Sequence, residues 1–137
     1  ASASGVETAV WAADTATRCT LDAQSIAHYD TPEPPDAIFS MLDRFTAAVI
    51  AFHEHDREPA LVARLLKSRC FYIGVLGNHA VHRQRLDTLA RMGASTAELT
   101  RLRAPIGSIS GAKGTATLAI GVMAEILAEA KELNIVP

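Results

Sequence analysis

The stretch CFYIGVLGNH, residues 70–79, decides the fold of this chain. It opens with apolar, β-branched and aromatic residues over the length of a strand, and a segment of helical spacing follows over residues 79–92. Buried parallel strands have this composition, and in open α/β sheets ligands bind where such strands end. The turn of Gly77 and Asn78 is therefore the first place to expect function.

Length and composition set the broad class of protein. The 137 residues suit one domain, and 49% hydrophobic with 20% charged residues predicts a globular fold. The formal net charge is −2 without a basic block, which argues against nucleic-acid binding. No stretch reaches the roughly 18 apolar residues that span a bilayer, and no secretory signal is visible. We therefore expect no nucleic-acid partner and no membrane partner.

The two cysteines favour a reducing compartment. Cys19 and Cys70 form neither a disulfide framework nor a CxxC metal motif. Cys70 begins an apolar run, which predicts a buried thiol and, with it, a cytoplasmic location.

Further strands and helices alternate along the chain. TAVWAA (8–13) and residues 25–29 are strand candidates, and AAVIAF (47–52) has the continuous apolar pattern of a strand buried on both faces. Asp36 and Asp56 are predicted to be the N-caps of helices, and an S-x-x-E capping box at residues 95–98 is predicted to begin another. The helices are expected over 36–45, from Asp56 to about 68, and over 79–92, 95–102 and 115–133.

This alternation predicts a single α/β domain over residues 1–137: a doubly wound, mostly parallel, Rossmann-like sheet in three layers. The usual first strand and its GxGxxG loop are missing. In the doubly wound order that strand would lie between the strands ending at Asp14 and His53, and an open position would leave backbone groups unpaired. We expect this open position to be filled in one of three ways: by residues preceding Ala1, by direct re-pairing of the strands, or by a second copy of the chain. Of these, the homodimer is favoured.

Charged residues near the glycine turns predict an anion site. Helix N-termini at Asp56, Asn78 and Thr115 offer free N–H groups, and Arg85 and Lys113 add full positive charges. Phosphate is a suitable ligand for such an arrangement. The alternative is that the arginine is a solvated helix charge and the glycines merely turn the chain. Spacing alone does not separate the two interpretations.

Two other kinds of site receive weaker support. His53, His55, His79 and His82 match no complete metal motif, so we expect no stoichiometric metal, and a histidine-based metal-dependent hydrolase ranks third. Asp14 could bind a ribose hydroxyl in an NAD(P)-binding oxidoreductase, although a helix-cap or turn role is the commoner one for aspartate.

Three ordered blocks of sequence resemble the XdhC/CoxI accessory family over about residues 47–130. The block FYIGVLG (71–77) resembles the family's YIGxLG motif, with His82 and Arg85 where that motif continues. APIG (104–107) with GAK (111–113) resembles its APIGxxxGAK loop. Smaller matches are AVI (48–50), His55 with Asp56, and AEI (124–126) in the last helix.

The resemblance implies a Rossmann-like domain of an accessory protein, and not a catalyst of substrate turnover. Such a protein holds the molybdenum cofactor, a pterin phosphate, for sulfuration and insertion into a molybdoenzyme of the xanthine dehydrogenase type. The family motifs imply cofactor binding at His55, Asp56, Gly77, His82, Arg85, Pro105, Gly107, Gly111 and Lys113, and the predicted anion site adds Asn78 to this set. They assign no catalytic residue and no metal ligand.

The chain departs from the family pattern beside these positions. Glu54 stands where the family has threonine, and the segment NHA (78–80) replaces a serine–arginine type sequence. An NAD(P)-binding oxidoreductase stays the alternative function, and the missing GxGxxG loop counts against it.

Overall fold

The computed structural model describes residues 6–51, 56–107 and 114–135. The chain divides into two compact units, Ala1–Met41 and Leu42–Pro137, which we describe one at a time. The expectation of a single domain over residues 1–137 stays a prediction.

The first unit is a small β-α-β motif followed by a short helix. Its elements are β1 (Val10–Trp11), α1 (Thr15–Ala23), β2 (His28–Tyr29) and α2 (Asp36–Ser40). β1 and β2 pair in parallel, with Val10 opposite His28. Both strands are shorter than expected, and helix α1 had not been predicted. α2 also ends earlier than expected, and Asp36 is its first residue because Pro35 holds the N-cap position.

Asp14 is the N-cap of α1. Its Oδ1 accepts a hydrogen bond from the Thr17 N–H at 2.8 Å, and its Oδ2 accepts one from the Thr17 hydroxyl at 2.6 Å. These hydrogen bonds lower the pKa of the Asp14 carboxyl, with the hydroxyl contact the larger cause. The helix-cap interpretation of Asp14 is therefore confirmed, and both carboxylate oxygens are engaged within the protein.

The second unit contains a three-stranded parallel sheet in the order β3-β4-β5. Its elements are β3 (Ala47–Ile50), α3 (Glu58–Leu66), β4 (Tyr72–Val75), α4 (His79–Arg91), α5 (Thr96–Leu99), β5 (Leu102–Arg103) and α6 (Thr115–Glu132). Every residue of β4 is buried, and this strand pairs with a neighbour on each side. The core around it contains Val62, Leu66, Ile73, Val75, Leu89, Leu102 and Ile106.

The predicted fold class, α/β with parallel strands, is confirmed, and several local predictions are confirmed with it. α4 begins directly after Asn78, and Ser95 and Glu98 form the expected capping box of α5. Gly93 follows α4 in a positive-φ conformation of +93°, as expected of a C-terminal glycine. Among the residues described, no helix combines the length and the apolar character needed to cross a membrane.

Other local predictions were wrong. The five strands within the described ranges form two sheets instead of one, and β5 had not been predicted. Val49 of β3 is 44% exposed, so this strand is not buried on both faces. Arg57, and not Asp56, occupies the N-cap position of α3. α5 ends at Leu99, because the chain turns after it to enter β5.

The two thiols should differ sharply in reactivity. Cys19 is exposed, whereas Cys70 is buried, and burial raises the pKa of the Cys70 thiol. Because the thiolate is the reactive form, we expect iodoacetamide to label Cys19 alone in the native protein and both cysteines in denaturant. Intact-mass spectrometry counts the labels. Rapid native labelling of Cys70 would contradict its position in the core.

Candidate functional site

The carboxyl end of β4 forms the candidate site's main turn. Leu76 follows the strand and donates its N–H to the Ile50 carbonyl at 3.0 Å, which ties the turn to the end of β3. Gly77 and Asn78 come next and are exposed. Gly77 has a φ of +148°, a conformation that favours glycine. The turn is thus held against the sheet and open to an approaching ligand.

The asparagine side chain already uses part of the helix N-terminus. Asn78 Oδ1 accepts hydrogen bonds from the N–H groups of Ala80 at 2.9 Å and Val81 at 3.0 Å. These are amides that an anion would otherwise bind at this helix end. In contrast, α6 begins behind Gly114, which supplies no side-chain cap. The α4 turn is therefore partly satisfied by the protein itself.

A buried ion pair lies beneath the turn. Arg85 Nε donates to Glu58 Oε1 at 2.5 Å, and Arg85 Nη2 donates to Glu58 Oε2 at 3.2 Å and to the Leu76 carbonyl at 3.0 Å. Arg85 is only 4% exposed and Glu58 6% exposed. The expectation that Arg85 adds a full positive charge is therefore corrected: Glu58, a residue not singled out in the sequence, compensates that charge.

One nitrogen of this guanidinium has no hydrogen-bond partner among the described residues. Arg85 Nη1 is buried and finds no hydrogen-bond acceptor among the residues described. A Cβ atom on Gly77 would lie 3.4 Å from Arg85 Nη2 and 3.8 Å from Nη1. The guanidinium thus packs directly against the glycine backbone, and its Nη1 keeps a free donor. An unpaired buried donor costs about 1–3 kcal/mol, which a ligand oxygen would recover.

His82 lies one helical turn from Arg85 on α4. Its Nδ1 is also buried without a hydrogen-bond partner in the described part of the chain. Burial lowers the pKa of His82, and the positive charges of Arg85 and His79 lower it further. The imidazole is therefore neutral at pH 7 and offers the site a polar but uncharged nitrogen.

The loop after β5 contributes Pro105 and Gly107 at the same edge of the sheet, since β4 and β5 are paired in parallel. The Ala104–Pro105 peptide bond is cis. Gly107 has a φ of +101°, and a Cβ atom there would lie 2.9 Å from Leu118 Cδ1. Its N–H donates to Glu125 Oε2 at 2.9 Å. Gly107 therefore approaches α6 more closely than a residue with a side chain could.

The described part of the predicted site falls into two groups. Gly77, Asn78, His82 and Arg85 cluster where β4 ends, and Pro105 and Gly107 follow β5. Asp56 lies in the turn before α3, and its predicted capping role was wrong. His55, Gly111 and Lys113 lie outside the described residues.

Glu58 and Glu125 were missed because a carboxylate in a helical segment resembles a solvated charge until its partner is known.

Metal and dinucleotide sites receive no new support. Within residues 6–51, 56–107 and 114–135, no three potential ligands from histidine, cysteine, aspartate and glutamate come together. His53 and His55 lie outside these ranges, so the expectation of no stoichiometric metal stays a prediction. The engagement of Asp14 with Thr17 leaves no observation that favours a ribose site there.

A parallel α/β sheet with its candidate binding residues at the carboxyl ends of the strands defines a Rossmann-type binding domain. The model of the XdhC Rossmann domain family matches residues 1–126, and the chain belongs to that family. The chain is 34% identical over 92 residues to the molybdenum cofactor insertion chaperone PaoD of Escherichia coli strain K12. The match covers 67% of this chain and 29% of that protein.

Removing Glu58 should destabilise the protein strongly. Glu58→Ala would leave the Arg85 guanidinium buried without its counter-ion, and we expect a loss of about 3–5 kcal/mol in the free energy of unfolding, measured with urea. Glu129→Ala is the matched control: the Arg103–Glu129 pair is partly exposed and should contribute about 1 kcal/mol or less. The double variant Glu58→Leu/Arg85→Met should recover much of the loss. A Glu58→Ala protein as stable as the control would contradict the buried pair.

The lowered pKa of His82 makes folding stability depend on pH in a defined direction. Because the unfolded chain protonates this imidazole more readily, the His82 contribution should reduce folding stability as pH falls through and below about 6.5. NMR titration of the imidazole should give a midpoint below that value. Replacing His82 with Gln should reduce the acid-dependent loss of stability. A midpoint at or above about 6.5 would show that His82 is not in the environment described.

Proposed function

We propose that this chain is the cofactor-binding domain of an accessory protein that holds molybdenum cofactor for insertion into a molybdoenzyme of the xanthine dehydrogenase type. The observation that carries the proposal is membership of the XdhC Rossmann domain family together with 34% identity to a molybdenum cofactor insertion chaperone. The chain spans 29% of that relative's length, so the whole protein's role is part of the proposal.

The site geometry fits a polar, oxygen-rich ligand of this kind. Arg85 Nη1 is a buried donor with no acceptor in residues 6–51, 56–107 and 114–135, and it lies against Gly77, where a side chain would fill the space. Hydrogen bonds from a guanidinium to an anionic or carbonyl oxygen are among the stronger ones available to a protein. The cofactor's oxygen atoms would satisfy this donor.

The remaining site residues extend the proposal along the same sheet edge. Asn78 and His82 lie at the start of α4, and Pro105 and Gly107 lie in the loop after β5, at the same edge of the sheet. On the family motifs we add His55, Asp56, Gly111 and Lys113 to the cofactor-binding set. The proposal assigns no catalytic residue, because holding and handing over a cofactor requires binding groups alone.

The Glu58 carboxylate shapes how Arg85 would bind. By compensating the guanidinium charge it leaves Arg85 Nη1 as a directional hydrogen-bond donor, with little net charge at that point. Recognition through Arg85 then depends on where the ligand places an oxygen, and less on how much negative charge the ligand carries. This favours a cofactor whose oxygen atoms have a fixed arrangement over free phosphate.

The test is direct binding of molybdenum cofactor to the purified chain under anaerobic conditions, measured by calorimetry. We expect Arg85→Lys and Lys113→Ala to weaken binding about tenfold to a hundredfold, as expected for loss of charge-assisted hydrogen bonds. Arg91→Ala, at the exposed last turn of α4, is the control. Wild-type protein that binds no cofactor, or unchanged affinity in both variants, would refute the proposal.

Partner and assembly follow from the same proposal. Protein loaded with cofactor should activate a cofactor-free molybdoenzyme of the xanthine dehydrogenase type. A homodimer stays part of the proposal, and sedimentation at micromolar concentration distinguishes it from a monomer.

A further inference from the structure

Glu125 joins three parts of the second unit through a single carboxylate. Its Oε1 accepts a hydrogen bond from the Tyr72 hydroxyl of β4 at 2.8 Å, and its Oε2 accepts one from the Gly107 N–H at 2.9 Å. The carboxylate belongs to the middle of α6 and is partly buried. One side chain therefore connects the central strand, the last helix and the loop after β5.

Close packing leaves this arrangement little freedom. Tyr72 is 1% exposed, and a Cβ atom on Gly74 would lie 2.6 Å from the tyrosine Cε1 and 2.9 Å from Ile106 Cγ2. The tyrosine ring thus occupies the space that the glycine leaves beside the loop. Burial, the hydrogen bond to Glu125 and the charge of that carboxylate all raise the pKa of Tyr72, so its hydroxyl stays protonated and continues to donate.

Gly107 is a proposed cofactor-binding residue whose only N–H is already occupied. Because that N–H donates to Glu125, the glycine contributes to the site through its position and lack of a side chain. Its position depends in turn on the acceptor that α6 provides. The carboxylate oxygen that faces Gly107 therefore sets where the Ala104–Gly107 loop lies at the sheet edge.

We infer that Glu125 is a positioning residue of the cofactor site, acting through the Gly107 amide. The inference rests on the proposed function. It predicts that cofactor affinity depends on an acceptor at position 125, although Glu125 itself need not touch the ligand.

The experiment compares four variants by amide hydrogen exchange at Gly107 and by molybdenum cofactor affinity. Glu125→Leu removes the acceptor, and we expect Gly107 to exchange about tenfold faster and the Kd to rise about tenfold. Glu125→Gln should retain both properties, because an amide oxygen can still accept the Gly107 N–H while the amide group donates to the tyrosine oxygen. Tyr72→Phe removes the other contact to the same carboxylate and should leave Gly107 exchange and affinity unchanged.

Glu129→Leu is the control on the same helix. Glu129 pairs with Arg103 of β5 at 2.8 Å and makes no described hydrogen bond to the loop, so its loss should leave cofactor affinity unchanged. Glu125→Leu leaves the buried Tyr72 hydroxyl unpaired, and this variant could therefore fold poorly. The double variant Tyr72→Phe/Glu125→Leu removes that hydroxyl and should show the same loss of affinity.

The outcomes separate this inference from the proposed function. Wild-type protein that fails to bind cofactor overturns both. Wild-type binding that is unchanged in Glu125→Leu, or equally weakened in Tyr72→Phe and Glu129→Leu, overturns the positioning role alone. Loss of affinity confined to the variants without an acceptor at position 125 supports it.

Discussion

The buried ion pair between Glu58 and Arg85 is the interaction on which the candidate site depends. Removing two charges from water costs several kcal/mol each, and only close geometry with further hydrogen bonds offsets that cost. Here the first residue of α3 and the seventh residue of α4 meet, and the guanidinium also binds the Leu76 carbonyl where β4 ends. Two helices and the central strand are thereby held in one arrangement. A change in the relative position of α3 and α4 would separate the charges.

Local patterns in the sequence were sufficient to predict β4 and the starts of the helices that follow it. A continuous apolar run predicted β4, and this central strand is buried along its whole length. The Ser95–Glu98 box was predicted because capping depends on residues within one helical turn, whereas the sequence placed a helix start at Asn78 without predicting that its side chain would cap it. The family resemblance drawn from the blocks around these elements was confirmed by the match over residues 1–126.

The sequence did not reveal which residues pair when they are far apart along the chain. Glu58 and Arg85 are 27 residues apart, and Tyr72 and Glu125 are 53 apart, so no local pattern relates them. The helical position of Arg85 predicted a charge near the turn, but not that a carboxylate from another helix would compensate it. The exposed Val49 shows a similar limit, because an apolar run indicates a strand and does not reveal which of its faces is covered. The cofactor-binding assignments stay predictions.

The Asn78 side chain would compete with any anion for the amides at the start of α4. An oxyanion that approached the start of α4 would contend with the asparagine oxygen for the amides of Ala80 and Val81. Displacing such a cap costs about 1 kcal/mol, so the binding free energy of the ligand would be less favourable by that amount. The same oxygen can reclaim those amides as a ligand departs, so this helix end need not pass through an uncapped state.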